Sequence, residues 1–205
     1  MLLDEPLCNL DANLREEMRF EIKELQKMTG VTILYVTHDQ EIALGLSDRI
    51  AVMDHRGRIR QVGTPHEIFE NPADSYVFRF MGISNFIPVR GEDTRVFIEG
   101  SNQALDSSPP KGMPGRRHFF AACRPTEIEL IRDRAPLFGI IKRRNFLGPI
   151  IDYRVTIGGH EVRVQQDTRD ALDRNLVFSE GESCGVAFLA LQWYESDSPE
   201  ECIRT

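Results

Sequence analysis

Two adjacent carboxylates, Asp4 and Glu5, follow Leu2-Leu3, and a histidine, His38, closes the sequence that begins with the apolar run Val31-Thr32-Ile33-Leu34-Tyr35-Val36. Residues of these types suit a metal–phosphate reaction. One carboxylate can hold Mg²⁺, the other can orient or deprotonate a water, and the imidazole can contact the transferring phosphate. The chemistry needs all of them at one place, so the intervening chain must bring them together.

The intervening pattern does so. Residues 1–3 read as the end of a strand, and 31–36 as a buried strand, continuously apolar and β-branched. A helical stretch lies between them. Strand, helix and strand form a right-handed crossover with parallel strands. Ligands of open α/β sheets bind beyond the carboxyl ends of the strands. Asp4, Glu5 and His38 all stand at such ends and are expected to converge on one edge.

The helix has its own signals. Asp11 is a good N-cap. Leu14, Met18, Ile22, Leu25 and Met28 recur at three- and four-residue spacing, which predicts one buried face, and Gly30 ends the helix. A short helix is expected over 39–46. Residues 50–53 and 58–62 flank Asp54-His55-Arg56-Gly57 as a hairpin. Thr64-Pro65-His66-Glu67 is a capping box with proline at the first helical position. That helix stops near Asn71-Pro72, and a last one runs from Ser75 to the closing Gly82.

Past residues 84–88 the helical period gives way to short strands. Ile151-Asp152-Tyr153-Arg154-Val155-Thr156-Ile157 alternates apolar and polar, Gly158-Gly159 supplies a tight turn, and residues 161–165 alternate back. Further strands are expected at 119–123, 139–146 and 185–191, with a loop at 106–115. Several short strands with turn signals predict a small barrel. The expected organisation is a first domain over 1–83, a β domain over 84–195 and a polar tail over 196–205.

Several of these segments also resemble a known family. Leu2-Leu3-Asp4-Glu5-Pro6-Leu7 resembles the Walker B segment of ABC-transporter ATPases, Asn9-Leu10-Asp11-Ala12 the D-loop, and Val36-Thr37-His38-Asp39-Gln40-Glu41 the H-loop. Each piece is common, but their order and spacing together are specific. The match is similar to the ATPases of spermidine/putrescine, ferric-iron and maltose importers. Arg124-Pro125-Thr126-Glu127-Ile128 and Asn145-Phe146-Leu147-Gly148 resemble, more loosely, their transport-associated OB domain.

The resemblance implies that Asp4 binds Mg²⁺, that Glu5 is the general base for the attacking water, and that His38 holds the γ-phosphate of ATP. It also implies that Asp11 lies where two ATPase subunits meet; the capping role of Asp11 remains equally open. The implied fold is α/β, an incomplete P-loop-type nucleotide-hydrolase half followed by a small all-β OB-like barrel. The implied partners are membrane permease subunits and a second ATPase subunit, with a homodimer expected. The implied location is cytoplasmic, at the inner face of the membrane.

A P-loop requires Gly-x-x-x-x-Gly-Lys-Ser/Thr, whose amides and lysine cradle the phosphates. No glycine here precedes a lysine, and Gly158-Gly159, between Ile157 and His160, is not the family's Ser-Gly-Gly signature. The sequence therefore reads as the carboxy-terminal part of a longer ATPase. The alternative is a free-standing regulatory or ligand-binding module of OB type.

Composition narrows the classes. The net charge of −7 argues against nucleic-acid or anionic-membrane affinity. Arg116-Arg117-His118-Phe119-Phe120 and Lys142-Arg143-Arg144 carry the basic and aromatic types an oligonucleotide-binding barrel uses, but the acidic total favours a solvated basic face. No apolar run approaches the roughly 20 residues that span a bilayer, and the first residues do not read as a signal peptide. Cys8, Cys123, Cys184 and Cys202 are scattered, as reduced thiols are.

ATP carries several negative charges, and Asp4 and Glu5 alone repel it. Titration calorimetry of this chain by itself with Mg-ATP is expected to give no measurable heat of binding. A micromolar isotherm would contradict that.

Overall fold

The computed structural model describes residues 1–92, 95–107, 118–132, 135 and 137–196. The expected tail beyond 196, most of the loop at 106–115, Arg116 and Arg117 lie outside the described residues, and the side chain of His118 is likewise not described. The chain divides into two compact units, Met1–Gly82 and Ile83–Thr205. Strand predominates over helix among the described residues.

In the first unit, β1 (Leu2–Asp4) and β2 (Leu34–Val36) pair in parallel, with Leu2 opposite Leu34, Leu3 opposite Tyr35 and Asp4 opposite Val36. The crossover between them is α1 (Ala12–Thr29). Asp11 caps it by accepting the Leu14 N–H, and Gly30, at φ 68°, ends it in the left-handed conformation a glycine tolerates.

Two expectations change here. The strand predicted over 31–36 is regular only over Leu34–Val36, the three residues that pair with Leu2–Asp4 of β1. The apolar stripe of α1 is not a buried face: no α1 residue is buried, and Leu14, Leu25 and Met28 are exposed. A sheet of two strands is too narrow to cover an 18-residue helix.

The rest of the unit has a core of its own. α2 (Gln40–Leu46) follows β2. The hairpin β3 (Ile50–Met53) and β4 (Ile59–Gly63) packs on α3 (Pro65–Glu70) and α4 (Ser75–Phe80) through Ile50, Val52, Ile68, Val77 and Met81. The capping box forms, with Thr64 Oγ1 accepting the Glu67 N–H and Glu67 accepting the Thr64 N–H.

The second unit joins two five-stranded antiparallel sheets. The first sheet contains β5 (Asn85–Glu92), β6 (Arg95–Ile98), β7 (Ala104–Leu105), β8 (His118–Cys123) and β14 (Gln192–Ser196), in the order β14-β8-β5-β6-β7. The second contains β9 (Ile128–Ile131), β10 (Leu137–Phe146), β11 (Ile150–Ile157), β12 (His160–Asp167) and β13 (Ser183–Phe188), in the order β12-β11-β10-β13-β9. One apolar core takes residues from both, including Ile87, Ile98, Leu130, Leu137, Tyr153 and Phe178. Each such side chain, fully buried, contributes about 1.5–3 kcal/mol.

The hairpin of β11 and β12 turns at Gly158 and Gly159, whose φ values of 57° and 91° suit a two-residue mirror-image turn. Asn85 on β5 joins the two sheets, donating to Arg163 O at 2.8 Å and accepting the Arg163 N–H at 2.7 Å. The strand expected over 185–191 ends at Phe188, where its partner β9 begins at Ile128 and pairing runs out. A short helix, α5 (Thr168–Asp173), was not expected.

Buried Asp54 organises the β3–β4 turn. Its Oδ1 accepts the N–H groups of Arg56 and Arg58 at 2.9 and 3.0 Å, and Oδ2 lies 3.1 Å from Arg58 Nε. These contacts, the Arg58 N–H foremost, hold its carboxyl down to about 2. A carboxyl held low in the folded state adds stability above its unfolded pKa of about 3.9 and loses it as pH falls through the folded value. The amide signals of residues 50–63 should therefore lose protection as pH is lowered from about 4 towards 2. Asp54→Asn should flatten that dependence; an unchanged profile would show that Asp54 is not the group responsible.

Candidate functional site

The parallel pairing of β1 and β2 places Glu5 and His38 side by side, each just past a strand end. Glu5 N–H donates to Val36 O at 3.0 Å, extending the ladder by one bond. The residue then turns with φ 46°, a left-handed conformation that costs a non-glycine residue about 1–3 kcal/mol. That turn aims its carboxylate at the loop after β2. Oε1 accepts the His38 N–H at 3.0 Å and lies 2.6 Å from His38 Nδ1. Oε2 lies 3.5 Å from the Thr37 hydroxyl.

A carboxylate only accepts, so the short contact puts a proton on His38 Nδ1. Nε2 is then the nitrogen left to meet a ligand, on a side chain that is 81% exposed. Glu5 is less open, with a side chain 33% exposed. Tyr35, on β2, has its phenol pushed up by burial and then by the negative charge of Glu5 and Asp39. The site is an electronegative edge with a single imidazole on it.

Asp4 takes no part in that contact. It is exposed and, among the described residues, its carboxylate makes no hydrogen bond, which leaves both oxygens for a hydrated cation. No group of three or more His, Cys, Asp or Glu among the described residues is gathered so as to hold a metal. A single carboxylate still fits Mg²⁺, which keeps several waters and is commonly shared with substrate phosphates.

Among the described residues, Asp11 makes no hydrogen bond with Asp4, Glu5 or His38. It stands at the N-terminus of α1, with Oδ1 accepting the Leu14 N–H at 3.0 Å. Two neighbours of His38 were not given roles by the sequence. Asp39 caps α2 by accepting the Ile42 N–H at 3.1 Å, and its own N–H donates to Thr37 Oγ1 at 3.0 Å. The spacing from Asp39 to the helical pattern was the available signal for the cap. Nothing in the pattern marks the Thr37 contact.

No family model matches this chain. A spermidine/putrescine import ATP-binding protein PotA of Pseudomonas fluorescens is 39% identical over 194 residues, which is 92% of this chain and 52% of that protein. A PotA of Marinobacter nauticus is 34% identical, covering 98% of this chain and 56% of that protein. An Fe(3+) ions import ATP-binding protein FbpC of Rhizobium etli is 41% identical over 161 residues, 76% of this chain and 44% of that protein.

The chain is a homologue of ABC-importer ATP-binding subunits. It spans about half the length of the curated relatives it matches. Among solved structures, the cytoplasmic molybdate-binding protein ModG matches 54% of the chain with a TM-score of 0.41 and 11% identity, too distant a likeness to argue from. Among the described residues, no helix is long and apolar enough to cross a membrane.

The geometry of Asp11 yields a prediction for this homologue. Asp11→Ala should weaken α1 by about 1 kcal/mol, whereas Asp11→Asn, which still caps, should leave it nearly unchanged. Amide exchange along residues 14–28 measures both. Equal losses in the two variants would mean that the charge, rather than the cap, matters.

Proposed function

We propose that this chain forms the Mg²⁺- and water-activating part of an ATP-hydrolysing importer subunit. The observation that carries the reading is the Glu5–His38 contact at 2.6 Å, formed at the ends of two parallel strands. Its supporting context is homology to import ATP-binding proteins over most of this chain. In this reading the first unit belongs to an incomplete P-loop-type half, and a cradle for the phosphates comes from sequence not present here. The second unit is read as an OB-like barrel, on its two antiparallel sheets around one core.

Each side chain has a distinct task. Asp4 would hold a hydrated Mg²⁺, which would supply positive charge against the phosphates when bound. Glu5, held by its backbone bond to Val36 O, accepts the proton of the attacking water. His38 is oriented through Nδ1 by Glu5, so Nε2 faces the γ-phosphate; a phosphate oxygen only accepts, so Nε2 must carry a proton of its own for that contact. Proton transfer and orientation of this kind contribute about 10²–10⁴-fold to rate. Asp11 meets a second ATPase subunit, a homodimer being the assembly we propose.

Permease subunits in the membrane would be the other partners, with this subunit on the cytoplasmic side. The cargo we propose is a polyamine or ferric iron, the solutes in the names of the relatives. ATP binding is assigned to the longer subunit and not to this chain alone.

The test uses a longer subunit that carries this sequence together with a P-loop. Glu5→Gln should lower hydrolysis by about 10²-fold or more while ATP binding persists. His38→Ala should do likewise. Retention of full hydrolysis in Glu5→Gln would remove Glu5 from the role of base.

A further inference from the structure

Arg15 lies next to the site and has no part in the chemistry above. Its own N–H bonds to Asp11 O at 2.9 Å in the first turn of α1. Its side chain reaches away from the helix to two other segments. Nη2 donates to Leu10 O at 3.0 Å, and Nη1 lies 3.7 Å from Asp39 Oδ2. Leu10 belongs to the turn that bears Asp11; Asp39 belongs to the loop that bears His38.

We propose that Arg15 is a positioning residue that clasps the Asp11 turn to the His38 loop and so fixes the Glu5–His38 pair relative to the subunit contact. The inference rests on the reading above of Glu5, His38 and Asp11, and deepens it. The chain of contacts is continuous. Asp39 holds Arg15 with Oδ2, caps α2 with Oδ1, and donates its N–H to Thr37 Oγ1, which in turn lies 3.5 Å from Glu5 Oε2. His38 sits between Thr37 and Asp39, so a shift of either moves its ring against Glu5.

The energetics favour a geometric role over a stabilising one. Arg15 and Asp39 side chains are 34% and 28% exposed, and ion pairs in such settings add little to folding. The planar guanidinium can address two acceptors at fixed angles, which a lysine ammonium on a flexible stem does not reproduce. Movement of the Asp11 turn, as on docking of a second subunit, would be carried by that fork into Asp39 and then His38.

Amide hydrogen exchange on the 205-residue chain tests this directly. Arg15→Met should speed exchange of the His38 N–H, which is bonded to Glu5, by about threefold, through easier local opening. Residues 18–28 of α1 should be unaffected. Arg15→Lys should fall between the two. Asp39→Asn keeps the helix cap but loses the charge, and should reproduce the effect of Arg15→Met. The double variant should be no worse than either single one, because both remove the same link.

Unchanged exchange at His38, additive effects, or acceleration spread evenly along α1 would overturn the proposal. Should Arg15→Met unfold the first unit, Asp39→Asn alone decides. In a longer active subunit Arg15→Met should lower kcat with little change in KM for ATP, with partial rescue by Arg15→Lys. Failure of the clasp leaves the Glu5→Gln result intact, whereas failure of Glu5 as base leaves the exchange result intact, so the two readings fall separately.

Discussion

The parallel pairing of β1 with β2 is the constraint on which the site depends. Glu5 and His38 are far apart in sequence, and only the register that sets Asp4 opposite Val36 brings them within bonding distance. A slip of one residue would send the Glu5 side chain to the other side of the sheet. The bond from Glu5 N–H to Val36 O and the left-handed turn at Glu5 hold that register at its last step. The strain of the turn is offset by the hydrogen bonds that the carboxylate then makes to the His38 loop.

That pairing rests more on backbone bonds than on burial. Strands of parallel sheets are normally covered on both faces. Here Leu2 and Leu34 are 66% and 64% exposed, and Phe20 and Met28 of α1 are exposed as well. The core of the first unit is formed by the β3–β4 hairpin, α3 and α4, and includes no residue of β1, α1 or β2. The Glu5–His38 edge therefore stands on the least buried part of the unit, tied down by polar contacts from Arg15, Thr37 and Asp39. The second unit differs, with a core drawn from two sheets and buried thiols. Burial pushes Cys123 up to about 12 and Cys184 to about 11, which favours the thiol over the thiolate.

Much of this was legible in the sequence because it is local. Asp11 as a cap, Gly30 as a stop, the Thr64–Glu67 box and the Gly158-Gly159 turn each depend on a few neighbouring residues. The meeting of Glu5 and His38 followed from strand order and the rule for crossover handedness. The burial of α1 was misjudged because periodicity records which face is apolar, not whether anything covers it. The ends of β2 and β13 fall where pairing with their partners stops, which no local pattern encodes. Arg15 and Thr37 act through contacts between segments and leave no periodic signal.

The most direct test of the account is the protonation pattern of the His38 ring, read by nitrogen-15 NMR of the histidine-labelled chain. With Glu5 present, the neutral ring should carry its proton on Nδ1; in Glu5→Ala it should move toward the Nε2 form and the Nδ1 signal should shift. An Nδ1 signal that is the same with and without Glu5 would mean that the strand ends do not bring these two side chains together, and the site as described would not exist.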